Sequence, residues 1–255
     1  MTEISFEDQV VIVTGAGGGL GRTYALDVAR RGGAVVVNDL GGSVEGPGGS
    51  SDMADRVVAE IEAAGGRAIA NYDSVATRSG ARRIVESALS AFGRVDALIN
   101  NAGNMRVKPF EDFSGEDLDA ILAVHLVGSF NVTQAVWPHM KAQGYGRVVF
   151  TCSSTGMYGD RLYACYAAAK AGVAGLMNVL SIEGKPHGIL CNALMPNAMS
   201  RMTEMVGAKL AETGIRPAGD SAALIAAVKD SMEPAFSTGL AVYLASRACT
   251  STRSI

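Results

Sequence analysis

Along this chain, short runs of apolar or β-branched residues alternate with longer stretches of mixed pattern. Six runs read as strands: VVIVTG (10–15), AVVVND (34–39), RAIANYD (67–73), a fourth within VDALINNAG (95–103), RVVFTC (147–152) and HGILCNAL (187–194). The first is apolar on both of its faces, which predicts a strand covered on either side. Helical patterns lie between them: LGRTYALDVARRG (20–32), ending at Gly32–Gly33, then MADRVVAEIEAAGG (53–66) and SGARRIVESALSAFG (79–93). A long helical region covers about 114–143 and opens on a Ser114-x-x-Asp117 capping signal. A small-residue helix follows over about 162–183, and a last one over about 234–246.

Repeated β-α-β spacing predicts a parallel sheet with helices on both faces. Right-handed crossovers then give a doubly wound, Rossmann-like α/β fold. GGSVEGPGGS (41–50) has the composition of a linker, but the strands on each side of it belong to one sheet. It is expected to be a long loop after the second strand, with residues 1–255 forming a single domain.

Composition narrows the possible partners. With 48% hydrophobic and 18% charged residues, the 255-residue chain is expected to fold around a sizeable core. A net charge of −3 without a Lys/Arg block argues against nucleic acid or an anionic membrane as partner. The start, MTEISFEDQVVIVTG, lacks the pattern of a signal peptide. No apolar run reaches the roughly 18 residues of a membrane helix, so no membrane span is expected. Cys152, Cys165, Cys191 and Cys249 are widely spaced and read as buried thiols of a reducing cytoplasm. His125, His139 and His187 lack metal-ligand spacing, so no metal site is expected.

TGAGGGLG (14–21) lies between the first strand and the first helix. Gly15, Gly19 and Gly21 fit a T-G-x-x-x-G-x-G spacing, which permits a tight turn and lets backbone N–H groups approach a pyrophosphate. The strand–turn–helix context is the one such a motif requires. Asp39 ends the second strand near the offset expected of a ribose-binding carboxylate. Its charge would repel a 2′-phosphate, and no Arg or Lys follows in DLGGSVEG, which favours NAD over NADP. Arg22 complicates that choice, since it could reach a phosphate there.

Proton chemistry is concentrated in SSTGMYGDRLYACYAAAK (153–170). Residues four apart on a helix share a face, which couples Tyr166 to Lys170. Tyr163, roughly 10 Å from Lys170 along the axis, is too far for direct coupling, and Tyr158 precedes Gly159 outside the helix. A neighbouring cation favours the phenolate, and a lowering of Tyr166 by about 3 units would be worth about 4 kcal/mol. If the fifth strand continues through them, Ser153 and Ser154 point to opposite sides, and periodicity cannot choose between them.

T-G-x-x-x-G-x-G at 14–21, N-N-A-G at 100–103 and Y-x-x-x-K at 166–170, in this order, resemble the short-chain dehydrogenase/reductase family over about residues 8–245. VVVNDLGG with its Gly-rich loop, ANYDSV (70–75), YGRVVFTCSSTGMYG and PNAMSRMT (196–203) resemble one branch of it. That branch is the (3R)-hydroxyacyl-CoA dehydrogenase part of type 2 peroxisomal multifunctional enzymes, with single-domain bacterial relatives. Some of its members act on the 17β-hydroxyl of steroids. The resemblance implies NAD-dependent oxidation of a secondary alcohol to a ketone on a lipid-like substrate. An NADPH-linked 3-oxoacyl reductase and a non-catalytic dinucleotide sensor are the competing functions.

Position by position, the resemblance implies that Leu20 and Asp39 line the dinucleotide and that Ser74 and Val75 flank the adenine beside Asp73. It further implies that Asn101, with Ala102 and Gly103, lies near the nicotinamide ribose. Ala198, Met199, Ser200 and Arg201 would cover the nicotinamide end, and Lys170 would donate to its ribose. The family's 13-residue offset to the tyrosine implies Ser153 as the partner of the substrate oxygen. His125 occupies the place where many members carry a relay Asn; it is read as a relay residue or as a helix histidine bonded to a backbone carbonyl. The usual seventh strand has no counterpart in RACTSTRSI (247–255). Small residues in AAAKAGVAG, with the 114–143 helix, suit a homodimer or homotetramer interface.

Overall fold

A computed structural model describes residues 4–43, 48–196 and 234–255. The six strands form one parallel sheet: β1 (Val10–Thr14), β2 (Ala34–Asn38), β3 (Arg67–Asn71), β4 (Ala97–Asn100), β5 (Gly146–Thr151) and β6 (Ile189–Leu194). Their order across the sheet is β3-β2-β1-β4-β5-β6, with every neighbouring pair parallel. The doubly wound α/β expectation is met.

Helices cover both faces, as the apolar strands require. On one side α1 (Gly19–Arg30), α2 (Asp52–Ala63) and α8 (Pro234–Ala245) close over Val11, Val13, Val35, Val37 and Val149. On the other, α3 (Arg78–Phe92), α5 (Gly128–Gln143) and α7 (Ala164–Gly184) close over Ile12, Val36, Leu98, Val148 and Phe150. Alternate residues of one strand thus enter different cores. Full burial of each such side chain is worth about 1.5–3 kcal/mol.

The 114–143 region is continuous but not uniform. The capping box of Ser114 and Asp117 starts α4 (Gly115–Leu122), a π-helical turn follows over Ala123–Val127, and α5 completes the run. Lys108 donates to Asp117 Oδ2 at 2.5 Å, and this bond, with the capping amide, holds the Asp117 carboxyl at about 2, below the usual carboxylate range. Gly115–Gln143 and Ala164–His187 are long and apolar enough to cross a membrane, unlike the expectation from apolar runs. Their inner faces belong to the core beside the sheet, through Val132, Val136, Val173 and Met177, so length alone does not make them a span.

Among the described residues no seventh strand joins the sheet. Residues 251–254 instead lie along the free edge of β6: Arg253 N donates to Cys191 O at 2.8 Å, and Ala193 N donates to Ser254 O at 2.8 Å. The buried Asn192 side chain donates to Ser251 O at 2.8 Å and accepts from Ser254 N at 3.0 Å. All four cysteines are free and buried.

Candidate active site

In a doubly wound sheet the strand order reverses at one point, and the crevice opens at the C-terminal ends of the strands there. Here β1 lies between β2 and β4, and a cleft of about 290 Å³ opens above their ends. Its wall runs from Asp73, Ser74 and Val75 after β3, through Asp39 and Gly15, to Ser153, Tyr166 and Lys170 beyond β5.

The glycine turn is built for close approach. Gly15 has φ 64°, and a Cβ there would lie 2.7 Å from Ala102 Cα. Gly18 caps α1 without any side-chain hydrogen bond, so the first amides of the helix are open at the cleft. Gly15, Gly19 and Leu20 line the cleft as expected. Gly21 does not: it sits beneath the turn, where a Cβ would be 2.2 Å from the Gly15 carbonyl oxygen. Its part is to let helix and turn pack together.

Asn101 has a structural part as well. It lines the cleft with Ala102 and Gly103, but its amide donates to Thr14 O and Gly15 O, both at 3.1 Å. The Thr14 hydroxyl completes the tie by accepting from the Asn101 and Ala102 amides at 3.0 and 3.1 Å. N-N-A-G thus clamps the turn in place. Thr14 went unassigned because its partners lie some 87 positions away.

Asp39 faces the cleft just past β2. One carboxylate oxygen accepts from Gly17 N at 2.8 Å and the other from Gly41 N at 2.8 Å, so it ties together both glycine-rich segments. Each oxygen keeps acceptor capacity for a further donor. Arg22 is turned away: its guanidinium pairs with Glu60 on α2, with Nε 3.2 Å from Oε1, and it does not line the cleft. Open helix amides, the glycine cradle and a carboxylate acceptor together fit a dinucleotide. Ala198, Met199, Ser200 and Arg201 lie outside the described residues.

β5 ends at Thr151, two positions before Ser153, so the strand does not continue through the serines. Ser153 caps a short helix, α6 (Ser154–Tyr158), its hydroxyl accepting from Thr155 N at 3.2 Å. Ser153 lines the cleft, whereas Ser154 is exposed on α6. Tyr158 is 84% exposed, and Tyr163 stands at the cap of α7 with its ring 6.3 Å from that of Tyr166. The cleft therefore gathers Ser153, Tyr166 and Lys170 and leaves out the other serine and tyrosines.

Lys170 is 4% exposed and donates its ammonium to the Thr151 carbonyl; burial lowers it to about 8. Gly156 admits α6 against this side chain, since a Cβ there would be 2.7 Å from Lys170 Cβ. The Lys170 ammonium stands 5.6 Å from the Tyr166 ring centre. Burial pushes the Tyr166 hydroxyl above its ordinary value, and a hydrogen bond with Ser153 opposes this without overcoming it. In the chain alone, desolvation of the phenolate is thus the largest influence on Tyr166.

His125 sits in the π-helical turn, a local widening often found at functional sites. Its Nε2 is 2.8 Å from Asn104 O, its Nδ1 has no partner, and its ring meets Tyr166 edge-on at 5.2 Å. Gly103 makes room for it, since a Cβ there would be 2.6 Å from the ring. The backbone-bonded arrangement is present. The unpaired nitrogen remains as an acceptor when Nε2 carries the proton.

Burial lowers His125 from 6.5 to about 3, so in that window the unfolded chain holds a proton that the folded chain refuses. Stability therefore rises with pH between these values, by up to about 1.4 kcal/mol per pH unit. His125→Asn is expected to flatten this acid limb. Urea unfolding of both proteins at about pH 7 and about pH 4.5 checks it: an unchanged difference between them would refute the assignment.

Comparison with known proteins agrees with this geometry. The short chain dehydrogenase family model matches residues 9–213. The chain is 54% identical over 203 residues to the mouse peroxisomal multifunctional enzyme type 2, covering 80% of this chain but only 27% of that protein. It is 52% identical over 198 residues to a putative short-chain type dehydrogenase/reductase of Mycobacterium tuberculosis, covering 78% of this chain and 69% of the relative. The crystal structure of a short chain dehydrogenase from Mycobacterium avium superposes with a TM-score of 0.79 at 35% identity, over 98% of this chain and 82% of that one. Sheet order, glycine turn, N-N-A-G clamp and Tyr166–Lys170 pair, together with a match over most of the chain, place this protein in the short chain dehydrogenase family.

Proposed function

We propose that this protein is an NAD-dependent dehydrogenase that oxidises a secondary alcohol to a ketone. Its substrate would be lipid-like, a (3R)-hydroxyacyl-CoA or a 17β-hydroxysteroid. The observation that carries this reading is the meeting of Ser153, Tyr166 and Lys170 with the glycine turn in one cleft. Similarity to a hydroxyacyl-CoA dehydrogenase of Mycobacterium tuberculosis, 37% identical over 203 residues, supports the acyl substrate class. When bound, NAD would supply the hydride acceptor, a positively charged ring.

The chain's own residues then divide the proton work. Ser153 holds the substrate oxygen by hydrogen bond, Tyr166 takes the hydroxyl proton, and protonated Lys170 favours the phenolate that this requires. The Asp39 carboxylate at the other end of the cleft disfavours a 2′-phosphate. A homodimer or homotetramer is proposed through α5 and α7, where Phe130, Val179 and Ile182 are exposed. Four buried free thiols suit a cytoplasmic setting.

The deciding experiment follows NAD reduction with a (3R)-hydroxyacyl-CoA and with a 17β-hydroxysteroid. Absence of turnover with any secondary alcohol would favour a dinucleotide sensor. Asp39→Ser is expected to lower the NAD/NADP ratio of kcat/KM by about tenfold or more, the worth of one charge-assisted hydrogen bond or its repulsive counterpart. An unchanged ratio would reduce Asp39 to a tie between Gly17 and Gly41.

A further inference from the structure

Across the switch point from Ser153, four polar side chains form one connected chain. Asn38, the last residue of β2, is buried and donates to Asn71 Oδ1 and to the Asp73 carbonyl, both at 2.9 Å. Asn71, the last residue of β3, donates to Asp73 Oδ2 at 3.1 Å and accepts from Asp73 N at 3.0 Å. Arg83, on α3 outside the cleft, donates to Asp73 Oδ1 at 2.6 Å. Both oxygens of a carboxylate that lines the cleft are thus held by donors from different elements.

An ionised carboxylate accepts hydrogen bonds and offers none. Fixed as it is, Asp73 matches a group that brings an N–H and opposes one that brings a lone pair. Purines differ in this respect at one edge: adenine presents an exocyclic amine where an oxo-purine presents a carbonyl oxygen. Without Arg83, Asp73 would keep only the Asn71 tie on one oxygen, would lose the donor that fixes the other, and would add an uncompensated charge to the end that already holds Asp39.

We infer that Arg83 is a positioning residue for base recognition: it holds Asp73 so that the site takes an amino-purine dinucleotide in preference to an oxo-purine one. This rests on the dinucleotide reading above. A tie between α3 and β3 alone would affect all ligands alike, which separates the two roles.

The test is direct binding, by calorimetry or protein fluorescence, of NAD and of its hypoxanthine counterpart to wild type, Arg83→Ala and Arg83→Lys. Wild type should prefer NAD. Arg83→Ala should weaken NAD by about tenfold and the hypoxanthine dinucleotide much less, as expected for loss of a hydrogen bond to a charged group. Arg83→Lys should recover part of the preference. Arg83→Gln carries the same test should the alanine variant not fold. An equal effect on both dinucleotides, or none, would overturn the inference while leaving the function intact. Failure of wild type to bind either dinucleotide would remove the NAD reading and the inference with it.

Discussion

Tyr166→Phe should abolish measurable alcohol oxidation while leaving dinucleotide binding in place. The substitution removes one oxygen and keeps the ring, which packs beside Ile121 and Ala169 and meets His125 edge-on at 5.2 Å. What is lost is the group that would take the proton, and proton transfer by a positioned side chain is worth roughly 10²–10⁴-fold in rate. Because no bond of the glycine turn or of Asp39 involves Tyr166, affinity for NAD should change little. Steady-state turnover and a binding titration on the same preparation separate the two effects. Tyr163→Phe, at a ring 6.3 Å from Tyr166 and outside the cleft lining, should retain activity. Near-normal turnover in Tyr166→Phe would sink the proposed mechanism.

Gly21→Ala is the second large effect, and it reaches function through packing. The added methyl group would stand 2.2 Å from the Gly15 oxygen and 2.6 Å from Asn101 Nδ2. The nearest of these atoms is backbone, and Asn101 is held by two carbonyls, so neither can swing aside. Nor can the turn retreat, since Gly15 already lies against Ala102. Overpacking of this kind costs about 1–3 kcal/mol, or a fall of several degrees in Tm. Displacing the turn should also abolish NAD binding. Gly115→Ala is the control: a methyl group there meets nothing within 4 Å and should alter neither property. Unchanged binding and Tm in Gly21→Ala would show that the turn tolerates what its geometry forbids.

The sheet was readable because each strand is a run of apolar residues bounded by its own turn, which is local information. Tyr166 and Lys170 were readable for the same reason, being one helical turn apart. Less accessible were pairings between distant positions. Asp39 meets Gly17 through the turn geometry, and Arg22 finds Glu60 on another helix rather than a phosphate. Asn101 spends its amide on β1, and nothing near it in the sequence says so. The π-helical turn at His125 keeps the apolar pattern of an ordinary helix, so periodicity did not reveal it. The five residues of α6 are too few to show a period. Electrostatic balance was the hardest to foresee. Spacing placed Lys170 beside Tyr166, but only the depth of burial decides that desolvation prevails in the chain alone.

The edge of β6 shows how a sheet can be finished without another ladder. Asn192 carries a side-chain amide, whose N–H and C=O are the same kinds of group as those of a peptide unit, with a second N–H left for Cys249 Sγ at 3.8 Å. It uses them on Ser251 and Ser254 as a neighbouring backbone would. A single side chain thus acts as a peptide surrogate at the rim, and the incoming segment need not match the pleat of a full strand. The outermost backbone groups of Cys191 and Ala193 are occupied as well, so this rim offers a second molecule little to pair with. Strand pairing between copies is thereby disfavoured at this edge.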